Sequence, residues 1–169
     1  MGDVFKEQII KRNPTFKDTL KRVGIIIGAF FLSILSFMFL GPFAVFVAFA
    51  VCFAAYFAMS FFNVEYEYVF TNGDLDIDII YSKSRRKRLF SSHVNHFDIM
   101  CHVEDKTRIG EFQSAQETKD YSSGTVTENT YAFLTNHNGK RVKFIIEPNK
   151  KMLKAIGTVL TRRKLFIKQ

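Results

Sequence analysis

Residues 23–64 read VGIIIGAFFLSILSFMFLGPFAVFVAFAVCFAAYFAMSFFNV and contain no Asp, Glu, Lys, Arg or His. On either side of Gly41-Pro42, residues 20–40 and 43–62 are each about 20 residues long, enough for a helix to cross a hydrocarbon core of about 30 Å. Gly and Pro interrupt helices, so this break belongs at a membrane surface. The sequence predicts a membrane α-helical hairpin of two transmembrane helices in residues 14–63, with its turn at 41–42.

The net charge of +8 includes basic residues close to both ends of this segment. Lys17, Lys21 and Arg22 precede it, and a basic run at 83–88 follows it. Lys and Arg near span ends favour the cytoplasmic side. We therefore expect a multi-pass membrane protein with both termini in the cytoplasm, where thiols stay reduced.

In the segment before the hairpin, residues 1–13, apolar and polar side chains recur with the spacing of a short amphipathic helix. The residues concerned are Val4, Phe5, Gln8, Ile9 and Arg12. This spacing favours an interfacial amphipathic helix, with a basic tail as the alternative. Asn13-Pro14 then predicts the start of the first membrane helix.

Residues 64–169 carry the pattern of a small cytoplasmic domain. Residues 64–70 and 75–79 alternate in polarity on either side of Asn72-Gly73, which predicts a β-hairpin. Further strands are predicted at 87–91, 95–103, 129–136 and 141–146, with the last two joined by a second hairpin at Asn138-Gly139. Apolar residues then recur at helical spacing, at Met152, Leu153, Ile156, Val159 and Leu160. We expect an α+β domain, an antiparallel β-barrel or sandwich capped by a C-terminal helix.

The order of these features is similar to that of the bacterial PH-domain (pleckstrin-homology-like) membrane proteins, including small membrane proteins of Gram-positive bacteria. The likeness rests on the strand VEYEY at 64–68, Asn72-Gly73 followed by Leu-x-Ile, a basic strand, and a helix after FIIEP at 144–148. It covers residues 20–163. The resemblance implies a PH-like fold and a place in the bacterial cytoplasmic (inner) membrane, and it implies no particular activity.

The basic run gives the most suggestive binding motif of the soluble part. A Lys or Arg close to an anionic leaflet contributes about 1 kcal/mol of attraction. If the first strand leaves the membrane, the second returns toward it and brings this run near the headgroups. The candidate lipid-binding residues are Lys83, Arg85, Arg86, Lys87 and Arg88. The alternative is that they only set the orientation of the spans.

The stretch 104–128 is long and polar for a compact domain, and it has room for a strand at 110–115. Long polar segments of this kind are often functional or mobile. We predict a protein-partner loop at its end, formed by Asp120, Tyr121, Ser122, Ser123 and Gly124. The alternative is a solvated, variable loop.

Small residues recur at four-residue spacing within the predicted spans. They are Gly24 and Gly28 in the first helix, and Ala50, Ala54 and Ala58 in the second. Such spacing lets helix backbones approach closely. Both packing within the hairpin and association into a homo-oligomer are open.

Catalytic, metal and nucleic-acid sites are not predicted. His93, His96, Cys101 and His102 lack the spacing of a known metal site, and on one strand Cys101 and His102 point to opposite faces. Asp74, Asp76 and Asp78 alternate as the solvated side of a strand would. Nucleic-acid binding is not expected, because the sequence has no basic stripe interleaved with aromatic residues. No cofactor is expected either.

The sequence therefore predicts a membrane-anchored, non-catalytic binding or scaffolding protein that presents its PH-like domain to protein partners, anionic lipid or both. Two alternatives are a membrane-bound enzyme or metal-binding protein, and an oligomeric structural membrane protein.

Overall fold

The computed structural model describes residues 4–160 and 165–166, and it divides into two compact units. The described residues of 1–13, 65–80 and 86–169 form the first, here called the sheet unit. Pro14–Val64 and Tyr81–Arg85 form the second, here called the hairpin unit.

The N-terminal segment is a β-strand. Strand β1 (Phe5–Lys11) pairs antiparallel with β2 (Val64–Thr71), with Lys11 opposite Glu65. The predicted interfacial helix is therefore wrong for the described residues of this segment. Pairing with β2 satisfies the backbone groups of β1, and a segment this short is a marginal helix by itself.

Gln8 fastens β1 to the other end of the sheet unit. Its side-chain amide donates to Glu147 O over 2.9 Å, and its side-chain oxygen accepts from Asn149 N over 2.7 Å. The sequence predicted Gln8 on an interfacial helix. In the structure, its side chain instead bonds backbone groups more than 130 positions away along the chain. Only the folded sheet unit supplies these partners.

Two open sheets make up the sheet unit. The first has the order β1-β2-β3-β4, with β3 at Asp74–Tyr81 and β4 at Arg85–His93. The second has the order β6-β8-β7-β5-β9. Its strands are β5 (Ile99–His102), β6 (Glu117–Asp120), β7 (Tyr131–His137), β8 (Lys140–Ile146) and β9 (Leu165–Phe166).

The described strands correct the prediction of an antiparallel barrel. The second sheet is mixed, because β6 joins β8 and β9 joins β5 in parallel, while β7 is antiparallel to β5 and β8. The described strands form two open sheets and no closed barrel. Long connections before β6 and before β9 allow parallel pairing, which a tight hairpin does not.

Both Asn-Gly hairpins are confirmed. Asn72 and Gly73 have φ of 50° and 106°, and Asn138 and Gly139 have 52° and 77°, as the tight turns between twisted strands require.

Two other strand predictions change. A 3₁₀ turn at Val94–His96 replaces the first part of the strand predicted at 95–103, because His93 Nδ1 accepts from Asn95 N and caps that turn. Another 3₁₀ turn, Ile109–Phe112, stands where a strand at 110–115 was predicted.

Aromatic rings form the centre of the sheet unit. Phe133 stacks on Phe97 and Phe144 with ring centroids 4.1 and 5.1 Å apart, and Phe90 lies 4.5 Å from Phe144. The predicted C-terminal helix is confirmed as α3 (Lys150–Val159). Its apolar side is buried through Met152, Leu153, Ala155 and Ile156.

Helix α1 (Phe16–Leu40), a 3₁₀ turn (Gly41–Phe43) and α2 (Ala44–Ser60) form the helical part of the hairpin unit. By length and composition it counts as one candidate membrane span, Phe16–Ser60, where the sequence predicted two. The turn at the Gly-Pro pair is itself helical, so no extended break separates the helices. The cap of α1 is Thr15, reciprocally bonded with Asp18, and not Asn13.

The first hairpin turn should tolerate a side chain less well than the second. A Cβ on Gly73 would lie 2.4 Å from His93 Nε2, whereas one on Gly139 meets nothing within 4 Å. Both positions have positive φ, so we expect Gly139→Ala to lower the free energy of unfolding by about 1 kcal/mol and Gly73→Ala by about 3 kcal/mol. Denaturation of the full chain in detergent, followed by circular dichroism, measures both. Equal losses would contradict the contact with His93.

Candidate functional site

A basic turn closes the C-terminal end of helix α2 within the hairpin unit. Ser82 N donates to Asn63 O over 2.9 Å, and the Ser82 hydroxyl donates to Ser60 O. Ser60 is the last residue of α2, and helix ends leave carbonyl groups that need such donors. Ser82 and Lys83 have φ of 47° and 59°, which turns the chain back tightly. The turn is therefore fixed to the helix end.

Two arginines are held at the same helix end. The Arg85 guanidinium lies 5.9 Å from the ring centroids of both Phe57 and Phe61. Arg22 of α1 donates to Phe62 O over 3.2 Å and to Asn63 Oδ1 over 3.4 Å. The carbonyl end of a helix favours positive charge. Arg22 and Ser82 thus share Asn63 as a partner.

These residues define a group of cations in the hairpin unit, here called the basic collar. Its members are Lys17, Lys21, Arg22, Lys83 and Arg85. Lys17 and Lys21 lie on α1 within about two turns of Arg22. In the part of the chain that the structure describes, Lys17, Lys21 and Lys83 are exposed and form no ion pair.

The structure divides the five predicted lipid-binding residues. Lys83 and Arg85 belong to the collar, and Lys87 is exposed on β4 without an ion pair among the described residues. Arg86 instead pairs with Glu67 at 2.8 Å within the sheet unit. The sequence alone predicted one motif because it does not show which carboxylates on neighbouring strands pair with the individual arginines.

Arg88 also has its charge balanced inside the sheet unit. It pairs with Asp76 at 2.9 Å and, more closely, with Asp78. The interpretation of the Asp74, Asp76 and Asp78 row as a solvated face is therefore wrong for Asp78, which is 5% exposed. An adjacent strand brings the guanidinium that makes burial of this carboxylate tolerable.

Glu67 is the most buried carboxylate of the first sheet, at 1% exposure. Its Oε1 accepts from Arg86, while its Oε2 has no hydrogen-bond partner among the described residues. Burial raises the pKa of Glu67, the nearby Arg86 lowers it, and Glu7 raises it. Burial is the largest of these effects, so the pKa of Glu67 lies above its ordinary value.

The predicted partner loop is fastened to the sheet unit at both of its ends. Asp120 Oδ1 accepts from Ser122 N and from the Ser122 hydroxyl over 2.9 and 2.6 Å. Tyr121 N donates to Ile145 O over 2.9 Å, and Ser123 N donates to Glu147 Oε2 over 3.2 Å.

Tyr68 adds a buried link beneath this loop. Its hydroxyl donates to Tyr121 O and accepts from Glu147 N over 3.2 Å. Ser122 is buried and Gly124 is exposed. The accessible part of the chain here therefore begins at Gly124 and continues to Val126, which is 61% exposed. Partner binding at this loop stays a prediction.

The small residues of the predicted spans lie mostly outside the contact between α1 and α2. Gly24 and Gly28 are exposed, and a Cβ on either meets no atom within 4 Å. Ala50 and Ala54 are exposed as well, and Ala58 is half-buried.

One buried contact between the two helices lies next to their connecting turn. Ser36 of α1 is buried, and its hydroxyl donates to Ser33 O over 2.7 Å and contacts Ala44 O over 3.5 Å. Gly24 and Gly28 face open space in this structure, and their use in helix packing or between protomers stays a prediction.

Two of the histidines lie close together, with the ring centroids of His93 and His96 6.1 Å apart. Within the described residues, no three His, Cys, Asp or Glu side chains are placed to hold a metal ion. Both ring nitrogens of His102 are engaged, Nε2 with Thr127 O at 3.0 Å and Nδ1 with Glu104 N at 3.2 Å. Cys52 and Cys101 are free thiols.

The C-terminal helix and the long apolar helical segment are features that the sequence likeness implied, whereas two open sheets stand in place of the expected barrel. Residues 2–167 match the model of the family described as bacterial PH-like domain (DUF6106), and the chain belongs to that family. No curated protein and no solved structure matches the chain.

Burial of Glu67 has a consequence for stability. A carboxyl whose pKa is raised on folding stabilises the fold below its unfolded value, given as 4.5, and this contribution is lost as the pH rises through the folded value. We expect Glu67→Gln, which cannot ionise, to gain stability relative to the wild type as the pH rises above 4.5.

Unfolding of the full chain in detergent at a series of pH values measures this difference. Glu65→Gln on the same strand is the matched control, because it removes a charge from a more exposed site. An identical pH trend in the control would show that burial of Glu67 is not the cause.

Proposed function

We propose that this protein is a membrane-anchored, non-catalytic binding protein whose basic collar holds anionic lipid headgroups while its PH-like unit is offered to a protein partner. The observation that carries the proposal is the attachment of the turn Tyr81–Arg85 to the end of α2. A helix that ends at a membrane surface brings the groups attached to that end to the headgroups.

Pairing of β1 with β2 supports two crossings of the membrane. Lys11 and Glu65 are opposite each other in one sheet, so they lie on the same side of any bilayer. The chain between them must then cross an even number of times. Phe16–Ser60 is long enough for two passes, with the turn Gly41–Phe43 at the far surface.

Charge supports the cytoplasm as the side that holds the sheet unit and both termini. Val23–Val64 lacks charged residues, while Lys21 and Arg22 lie just before it and Lys83 follows it. Positive charge is retained on the cytoplasmic side of bacterial membranes. With this orientation, the collar faces the leaflet that carries anionic lipid.

Energetically, the collar sets orientation more than attachment. Each cation near an anionic surface adds about 1 kcal/mol, which is small beside the burial of two apolar helices. Exposed Lys83 and the phenylalanine-supported Arg85 contribute without breaking an internal ion pair. Arg86 and Arg88 would have to leave Glu67 and Asp78, so we assign them to stability of the sheet unit.

Removal of two collar charges should weaken lipid binding selectively. We expect Lys83→Gln with Arg85→Gln to lower the affinity of the full chain for phosphatidylglycerol by about tenfold or more, since two cations are lost. Native mass spectrometry of the detergent-solubilised protein at increasing lipid concentration measures bound lipid. Lys140→Gln with Lys154→Gln removes the same charge from exposed sites of the sheet unit. Equal losses of lipid affinity in both variants would show that net charge, and not the position of the collar residues, governs lipid binding.

Chemical labelling of single cysteines in cells tests the proposed topology with two membrane crossings. In a background with Cys52 and Cys101 replaced by Ala, we expect Pro42→Cys to react with a membrane-impermeant maleimide in spheroplasts. Lys106→Cys, in the sheet unit, should react only after permeabilisation. Protection of both cysteines in intact spheroplasts would contradict the exposed turn, and reaction of both would contradict a cytoplasmic sheet unit.

A further inference from the structure

A half-open pocket of about 270 Å³ lies over the second sheet. Four neighbouring strands contribute its floor through two register pairs, Cys101 with Ala132 and Thr118 with Lys143. Phe112 and Ala115, in and after the 3₁₀ turn, form a wall. Its volume is near the lower end of the range typical of small-molecule sites.

Lys143 brings to this pocket a positive charge that no ion pair engages among the described residues. It is the one Lys or Arg among the described residues of the lining, and it is half-buried. Its ammonium lies 4.9 Å from the Phe112 ring centroid and forms no ion pair within the described part of the chain. A ring face holds a cation in place without cancelling its charge.

Asp105 and His102 of the lining are engaged by groups of the surrounding loops. Asp105 accepts from Thr107 N over 3.0 Å and from the Thr107 hydroxyl over 2.6 Å. These bonds lower the pKa of Asp105, and Arg108 lowers it further. Both His102 nitrogens bond backbone groups of the surrounding loops. Asp105 therefore stays ionised but is held by its own turn, and neither residue forms an ion pair with Lys143 among the described residues.

Cys101 makes the floor apolar at neutral pH. Burial raises the pKa of this thiol to about 11, with Asp105 raising it and Lys143 and Arg108 lowering it by smaller amounts. The protonated thiol behaves as a small hydrophobic group and does not repel an anion. Together with Ala132, Ala115 and Phe112, it gives the pocket apolar surface around one cation.

We propose that this pocket binds a small organic monocarboxylate, with its carboxylate on the Lys143 ammonium and its apolar body against Phe112, Ala115 and Ala132. Lys143 supplies the cation for one carboxylate, and the side chains of Thr118 and Gln113 in the lining can donate to the second carboxylate oxygen. A phosphate would need further cations or backbone donors. The site lies wholly in the sheet unit and does not depend on the lipid proposal.

Ligand-observed ¹⁹F NMR on the full chain in detergent tests the site with 4-fluorobenzoate and short fluorinated aliphatic carboxylates as probes. The neutral 4-fluorobenzamide is the matched probe without charge. We expect binding of at least one carboxylate, and a loss of affinity of about tenfold or more for that probe in Lys143→Met. Ala115→Leu, which narrows the pocket from the loop, should also weaken binding.

Lys140→Met is the control on the same strand, since Lys140 is exposed and outside the pocket, and it should leave binding unchanged. Thermal unfolding of each variant shows that the fold is kept. The proposal is overturned if no carboxylate probe binds the wild type, if 4-fluorobenzamide binds equally well, or if Lys143→Met and Lys140→Met behave alike. Loss of lipid binding in the collar variant would not affect any of these results.

Discussion

Antiparallel pairing between β1 and β2 joins two segments that are separated by a 45-residue helical segment, Phe16–Ser60. Seven residue pairs, from Phe5 with Thr71 to Lys11 with Glu65, hold the start and end of the hairpin side by side. Gln8 ties this edge strand to Glu147 and Asn149, so the pairing also depends on the C-terminal part of the sheet unit. The helical hairpin is in effect an insertion between two neighbouring strands.

That constraint links the helical hairpin to the rest of the fold. The inserted segment must turn back on itself, because both of its ends continue into neighbouring strands of one sheet. The link continues beyond β2, since the turn after β3 is bonded to Ser60 and Asn63 at the end of α2. The chain therefore passes between the two units at four points, after residues 13, 64, 80 and 85.

Electrostatics sorts the basic residues into two groups with different roles. Arg86 and Arg88 neutralise Glu67, Asp76 and Asp78 across the first sheet, where burial would otherwise destabilise the carboxylates. The collar residues form no such pair with a carboxylate among the described residues. Lys143 is a third case, because an aromatic ring and not a carboxylate holds its ammonium. The neighbours that each basic residue meets in the fold therefore decide whether its charge is balanced internally.

Local chemistry by itself determined the charge-free segment, both Asn-Gly hairpins and helix α3, because each rests on side chains close together in sequence. Tertiary structure decided the strand at Phe5–Lys11, the parallel pairing of β6 and β9, and the separation of Arg86 from Arg85. It also decided the pocket, whose floor combines Cys101, Thr118, Ala132 and Lys143 from four strands. The reason is that backbone pairing and ion pairs take partners far away along the chain, and their register is set only when the sheets assemble.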